Sequence, residues 1–146
     1  MRTLLNHPWL LEARCEQVAE LTLTAPPLVR LRDAMLALLG QNNTLERDGL
    51  RSQLTALGLE KVVAMTEKAI THRSDRFAEP EADAAEVEAG WRHSVALHER
   101  QVGLKRALAA AEHDWQSEPT EEAWNRIAEI QQQLASGCEV ELNSDD

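Results

Sequence analysis

The chain has 146 residues, a formal net charge of −10, and a composition that is 43% hydrophobic but only 3% aromatic. That length is one ordinary domain, or a small domain with an appendage, and is enough to bury a core. Six glycines, no tyrosine and one phenylalanine argue against a β-sandwich or a doubly wound sheet, which need glycine-rich turns and β-branched or aromatic strands. Alanine, leucine, glutamate, glutamine and arginine lose least on entering a helix, so the composition predicts an all-α protein.

The charge is unevenly placed. Residues up to Arg73 net +1, whereas those after it net −11. An acidic second half repels a phosphate backbone, and no basic stripe with interleaved aromatics is present, so strong direct nucleic-acid binding is not expected. A protein partner fits better. Cys15 and Cys138 form no C-x-x-C pair and no metal-finger spacing with a histidine, so a disulfide framework and a zinc site are not indicated. The apolar run at the start stops at Asn6-His7-Pro8, too short for a signal sequence. No stretch reaches the roughly 18 apolar residues of a membrane span, and a cytoplasmic location is expected.

In chain order, Leu4 and Leu5 read as the end of a helix stopped before Pro8, because the residue preceding proline is pushed out of the α region. Pro8 then opens a second helix ending near Leu21, with Trp9, Leu10, Ala13 and Val18 at helical spacing. From Pro27, the residues Leu28, Leu31, Met35, Leu38 and Leu39 mark an amphipathic helix closed by Gly40 as a left-handed cap. Thr44 is placed to cap a helix carrying Leu45, Leu50, Leu54 and Leu57, which Gly58 closes. Glu60 to about Thr71 forms another helix, with Val62, Val63, Met65 and Ile70 on its apolar side. The expected core is Leu5, Leu10, Val18, Leu31, Met35, Leu38, Leu54, Leu57 and Val63, and residues 73–79 read as a polar connection.

From about Pro80 to Trp115 no turn signal intervenes, which predicts one helix about 54 Å long at 1.5 Å per residue. Gly90 and Gly103 are its weak points. Ser117 to Glu122 is a helix start, with proline, small polar caps and carboxylates at the positive end of the dipole. Trp124, Ile127, Ala128, Gln131 and Leu134 then define a last helix stopped by Gly137. The expected architecture is thus a compact helical bundle at 1–79, a long helix and C-terminal αα-hairpin at 80–136, and a flexible acidic tail at 137–146.

No catalytic constellation stands out. The histidines at 7, 72, 93, 98 and 113 make no i, i+4 pair and no H-E-x-x-H motif, and there is no phosphate loop, nucleophile elbow or D-x-D cluster. The chain is expected to be non-catalytic, with no cofactor and no metal. Trp9 and Trp91 read as core residues. Trp115 and Trp124 flank the hairpin turn, where mutual packing is the simplest role, although tryptophan is enriched at binding hot spots.

Four stretches carry a resemblance. Residues 2–11 (RTLLNHPWLL), 28–36 (LVRLRDAML), 91–98 (WRHSVALH) and 119–127 (PTEEAWNRI) resemble the C-terminal, helicase-binding domain of bacterial DnaG-type DNA primase in its alphaproteobacterial form. The resemblance implies a bundle followed by a hairpin that docks on the N-terminal domains of the replicative helicase ring (DnaB type) and recruits primase for primer synthesis. The primase zinc ribbon and TOPRIM core are absent, so the chain reads as part of a longer protein. The family domain also binds the acidic tail of single-strand binding protein through a basic pocket built partly from its first helix, of which only Arg2 remains here. By analogy, the polar outer side of the last helix, Arg126, Glu129, Gln132 and Gln133 with Leu134 beside it, is the expected contact surface, and Trp115 and Trp124 at the turn are interface candidates by position. The alternative is a free-standing acidic all-α interaction or regulatory protein.

Overall fold

The computed structural model describes residues 1–41, 45–69 and 73–143, the side chains of 73, 74 and 138–143 excepted. The chain is all-α, with no strand among the described residues. The elements are α1 (Arg2–Asn6), α2 (Pro8–Ala13), α3 (Cys15–Glu20), α4 (Pro26–Gln41), α5 (Arg47–Ala56), α6 (Glu60–Glu67), a 3-10 helix (Arg73–Ala78), α7 (Ala84–Ser117) and α8 (Glu121–Asn143). They fall into two units, Met1–Arg92 and His93–Asp146, so the division lies within the long helix α7. No helix among the described residues is long and apolar enough to cross a membrane.

In the first unit α1 is buried along its whole latter part, Thr3 to Asn6, as expected of a short segment surrounded by other helices. Pro8 ends it. His7 is held at φ −129°, ψ 74°, outside the α region that a following proline disfavours, and Pro8 opens α2. The single helix expected from Pro8 to Leu21 is interrupted at Arg14, whose dihedrals (φ −127°, ψ 25°) leave the helical region. Two main-chain hydrogen bonds bridge the break: Arg14 N–H to the Leu10 carbonyl and Val18 N–H to the Arg14 carbonyl, both 2.9 Å.

Around α1 the core is assembled by leucine spacing. Leu31, Met35 and Leu38 of α4, Leu50 and Leu54 of α5, and Val63 of α6 are buried with Leu4, Leu5, Leu10, Leu11 and Val18. Two expected core residues are not there. Leu57 is 55% exposed, because α5 ends in a Schellman turn at Gly58, which has φ +76°. The Gly58 N–H reaches the Thr55 carbonyl (2.9 Å) and the Leu59 N–H the Leu54 carbonyl (3.0 Å), the bond pattern of that motif. Leu59, two residues after Leu57, folds back and is buried instead. Trp9 is 40% exposed. The buried side of α2 is set by Pro8, Leu10 and Leu11, which leaves Trp9 in edge contact with the His7 ring at 6.3 Å.

The glycine assignments also need correction. Gly40 is not a left-handed cap, since Gly58 is the only glycine with positive φ among the described residues and α4 continues to Gln41. Gly137 does not stop α8, which runs on to Asn143; lacking a left-handed turn there, the chain keeps its helical ladder. The helix after Gly58 ends at Glu67, short of Thr71. The expected cap at Thr44 and the apolar position at Ile70 lie outside the described residues.

Residues 73–79 are more than a connection. The Asn6 side chain donates from Nδ2 to the Ala78 carbonyl (2.8 Å), and buried His7 donates from Nε2 to the Glu79 carbonyl (2.8 Å). The Arg2 guanidinium pairs with the Glu79 carboxylate at 2.8 Å. Asn6 also accepts from Nη2 of Arg51 at 2.7 Å, while Nη1 of Arg51 pairs with Glu67. Burial pushes the Arg51 guanidinium below its ordinary range, with Arg47 adding to this and Asp48 opposing it. One polar network thereby joins α1, α5, α6 and the 3-10 helix.

Asp83 starts α7 by accepting from the Ala85 N–H (2.8 Å) and the Glu86 N–H (3.2 Å) at Oδ1, an N-cap that places the start after Pro80. Its first part closes the first unit. Val87 and Trp91 are buried, the Trp91 indole donates to Oε1 of Gln17 at 2.8 Å, and Glu88 pairs with Arg14 at 2.5 Å.

Candidate functional site

The second unit is a helical hairpin with an apolar seam of its own. Ala111 of α7 is buried with Ile127 and Ile130 of α8, and Leu104, Ala107, Leu108 and Leu134 pack against them. Their spacings, 104-107-108-111 and 127-130-134, trace one stripe on each helix. The turn is short. The Glu118 N–H reaches the Asp114 carbonyl at 2.9 Å, extending α7 to its last residue, and Thr120 caps α8 by accepting from the Ala123 N–H at Oγ1 (3.2 Å). Pro119 precedes this cap rather than lying in the first helical turn, where proline needs no N–H partner.

At this turn Trp115 and Trp124 meet with ring centroids 6.0 Å apart and planes inclined at 52°, within the range of favourable aromatic pairs. Mutual contact does not cover them. Trp115 is 38% and Trp124 57% exposed, because two helices alone offer no third surface to bury so large a side chain. Arg126, Glu129, Gln132 and Gln133 are all exposed, whereas Leu134 is half-buried on the seam. The expected interface therefore divides into an exposed indole pair at the turn, a polar outer face along α8, and one residue with a packing role.

Sequence reasoning did not anticipate a cleft of about 170 Å³ near the turn, lined by Ala111, Asp114, Glu122, Ala123 and Arg126. It exists because the small Ala111 and Ala123 leave space that longer side chains would fill. Asp114 and Glu122 stand on opposite helices, and only the hairpin closure brings them to one place. Of the histidines, His7 is buried, His98 half-buried, His93 and His113 exposed, and His72 lies outside the described residues. No group of three or more metal-ligating side chains comes together among the described residues. Cys15 is a free, half-buried thiol.

No protein-family model, curated protein or solved structure matches this chain.

Proposed function

We propose that this chain is a docking module: the helicase-binding domain of a bacterial DnaG-type primase, which tethers primase to the replicative helicase and raises its local concentration where primers are needed. Its contribution is binding rather than chemistry. The observation that carries this reading is the indole pair at the hairpin turn, two large side chains left exposed on an element that has its own buried seam. Tryptophans in such positions are enriched among residues that dominate binding energy. The polar outer face of α8, with Arg126, Glu129, Gln132 and Gln133, supplies the hydrogen-bonding rim that such contacts carry. Tethering of this kind gains more from effective concentration than from single-site affinity.

Co-precipitation of the full chain with a DnaB-type replicative helicase tests the proposal. The chain is expected to capture the helicase, and Gln132→Ala with Gln133→Ala to weaken capture while leaving the melting curve unchanged. Failure to capture the helicase at micromolar concentrations of both proteins would refute it.

A further inference from the structure

The hairpin turn combines exposed apolar surface with concentrated negative charge. Between Ala109 and Arg126 the carboxylates of Glu112, Asp114, Glu118, Glu121 and Glu122 face a single guanidinium, that of Arg126, and all of these side chains are exposed. In the same stretch lie the two indoles, and the cleft at the turn is lined by a sequence neighbour of each, Asp114 and Ala123. A purely apolar partner covering the indoles would strip water from these carboxylates without replacing it. An acidic protein surface or a nucleic-acid backbone would be repelled. A cationic side chain satisfies both features, because the face of an indole attracts a cation and its aliphatic stem covers apolar surface.

We propose that the hairpin turn recognises a basic segment of its protein partner. Arginine or lysine side chains lie on the faces of Trp115 and Trp124, and Asp114, Glu118, Glu121 and Glu122 neutralise their charge. This rests on the docking reading above and assigns the chemistry of the surface that the hairpin meets.

The test is a titration of the full chain with a short peptide in which arginine alternates with leucine, followed through the indole N–H signals in nuclear magnetic resonance. A counterpart with glutamine in place of arginine is the control. Saturable shifts of the Trp115 and Trp124 signals, with Trp9 and Trp91 unmoved, are expected for the arginine peptide alone. Added salt should weaken binding, as screening of exposed charges requires. Trp124→Ala should weaken it roughly tenfold, the scale of a partly desolvated cation–π contact. Glu118→Gln, Glu121→Gln and Glu122→Gln combined should weaken it and flatten the salt dependence. These side chains are exposed, and unchanged melting confirms that each variant is folded. Equal binding of both peptides, shifts confined to Trp9 or Trp91, or no shift overturns the proposal. The two readings fail separately. Helicase capture that is indifferent to the three glutamine substitutions removes the basic-surface assignment and leaves docking intact. Arginine-peptide binding at the turn without helicase capture does the reverse.

Discussion

The ring of Phe77 occupies the space in which a side chain at Gly90 would begin: a Cβ placed there would overlap Cγ and both Cδ atoms of the ring. Glycine is a poor helix former by about 1 kcal/mol relative to alanine, and α7 contains it here because the 3-10 helix lays its one phenylalanine across the helix surface.

Two glycines of α7 should therefore respond oppositely to the same change. Gly90→Ala is expected to destabilise the first unit by about 1–3 kcal/mol through overpacking, whereas Gly103→Ala, with open space around the added methyl, should stabilise the helix by up to about 1 kcal/mol. Thermal denaturation of the single variants measures both signs. In Phe77→Ala, the cost of Gly90→Ala should largely vanish, giving a coupling readable by a double-mutant cycle.

Asn6→Ala should cost about 1–3 kcal/mol, because it strands both a buried carbonyl at Ala78 and a donor of Arg51. The exposed neighbour Ser52→Ala should change stability by less than about 0.5 kcal/mol. Urea unfolding of the pair measures the contrast; equal losses would mean the network joining α1 to α5 contributes nothing specific.

The turn and cap residues give graded effects. Gly58→Ala forces a side chain into left-handed backbone and should cost about 1–2 kcal/mol. Asp83→Ala and Thr120→Ala each remove a side-chain acceptor from a helix start and should cost about 1 kcal/mol. Calorimetry on the three variants is the check.

A chain ending at Gly103 retains the whole first unit and loses the seam of Ala111, Ile127 and Ile130. It is expected to melt cooperatively and to have lost helicase capture. Loss of cooperative melting would show that the hairpin is needed for the fold of the rest.

Helix existence was legible in the sequence wherever a buried stripe recurs at three and four residues, as at Leu31, Met35 and Leu38, and the start at Pro8 and the stop at Gly58 follow from backbone restrictions local to those residues. Errors arose where burial depends on what lies across the gap. Leu57 continues the spacing of α5 as well as any leucine, but the reversal at Gly58 gives its place to Leu59. Gly40 and Gly137 have the same sequence signature as Gly58, yet neither takes a positive φ, and α4 and α8 run past them to Gln41 and Asn143. Of the hairpin surface, the Trp115–Trp124 contact could be read from positions flanking a turn, whereas the cleft between Asp114 and Glu122 depends on the register of two helices, which neither helix encodes alone.

Asn6 and His7 grip the end of the 3-10 helix and the residue after it by main-chain oxygens, those of Ala78 and Glu79. Every residue type supplies such an oxygen, so these two grips are blind to side-chain identity at those positions and sensitive to chain length. Adding or deleting one residue between Asp75 and Ala78, inside the 3-10 helix, shifts both acceptors by one helical step, about 2 Å, far outside the few tenths of an ångström over which a hydrogen bond retains its strength. Substitution at Ala78 or Glu79 leaves these two main-chain acceptors in place, whereas a change in the number of residues moves them.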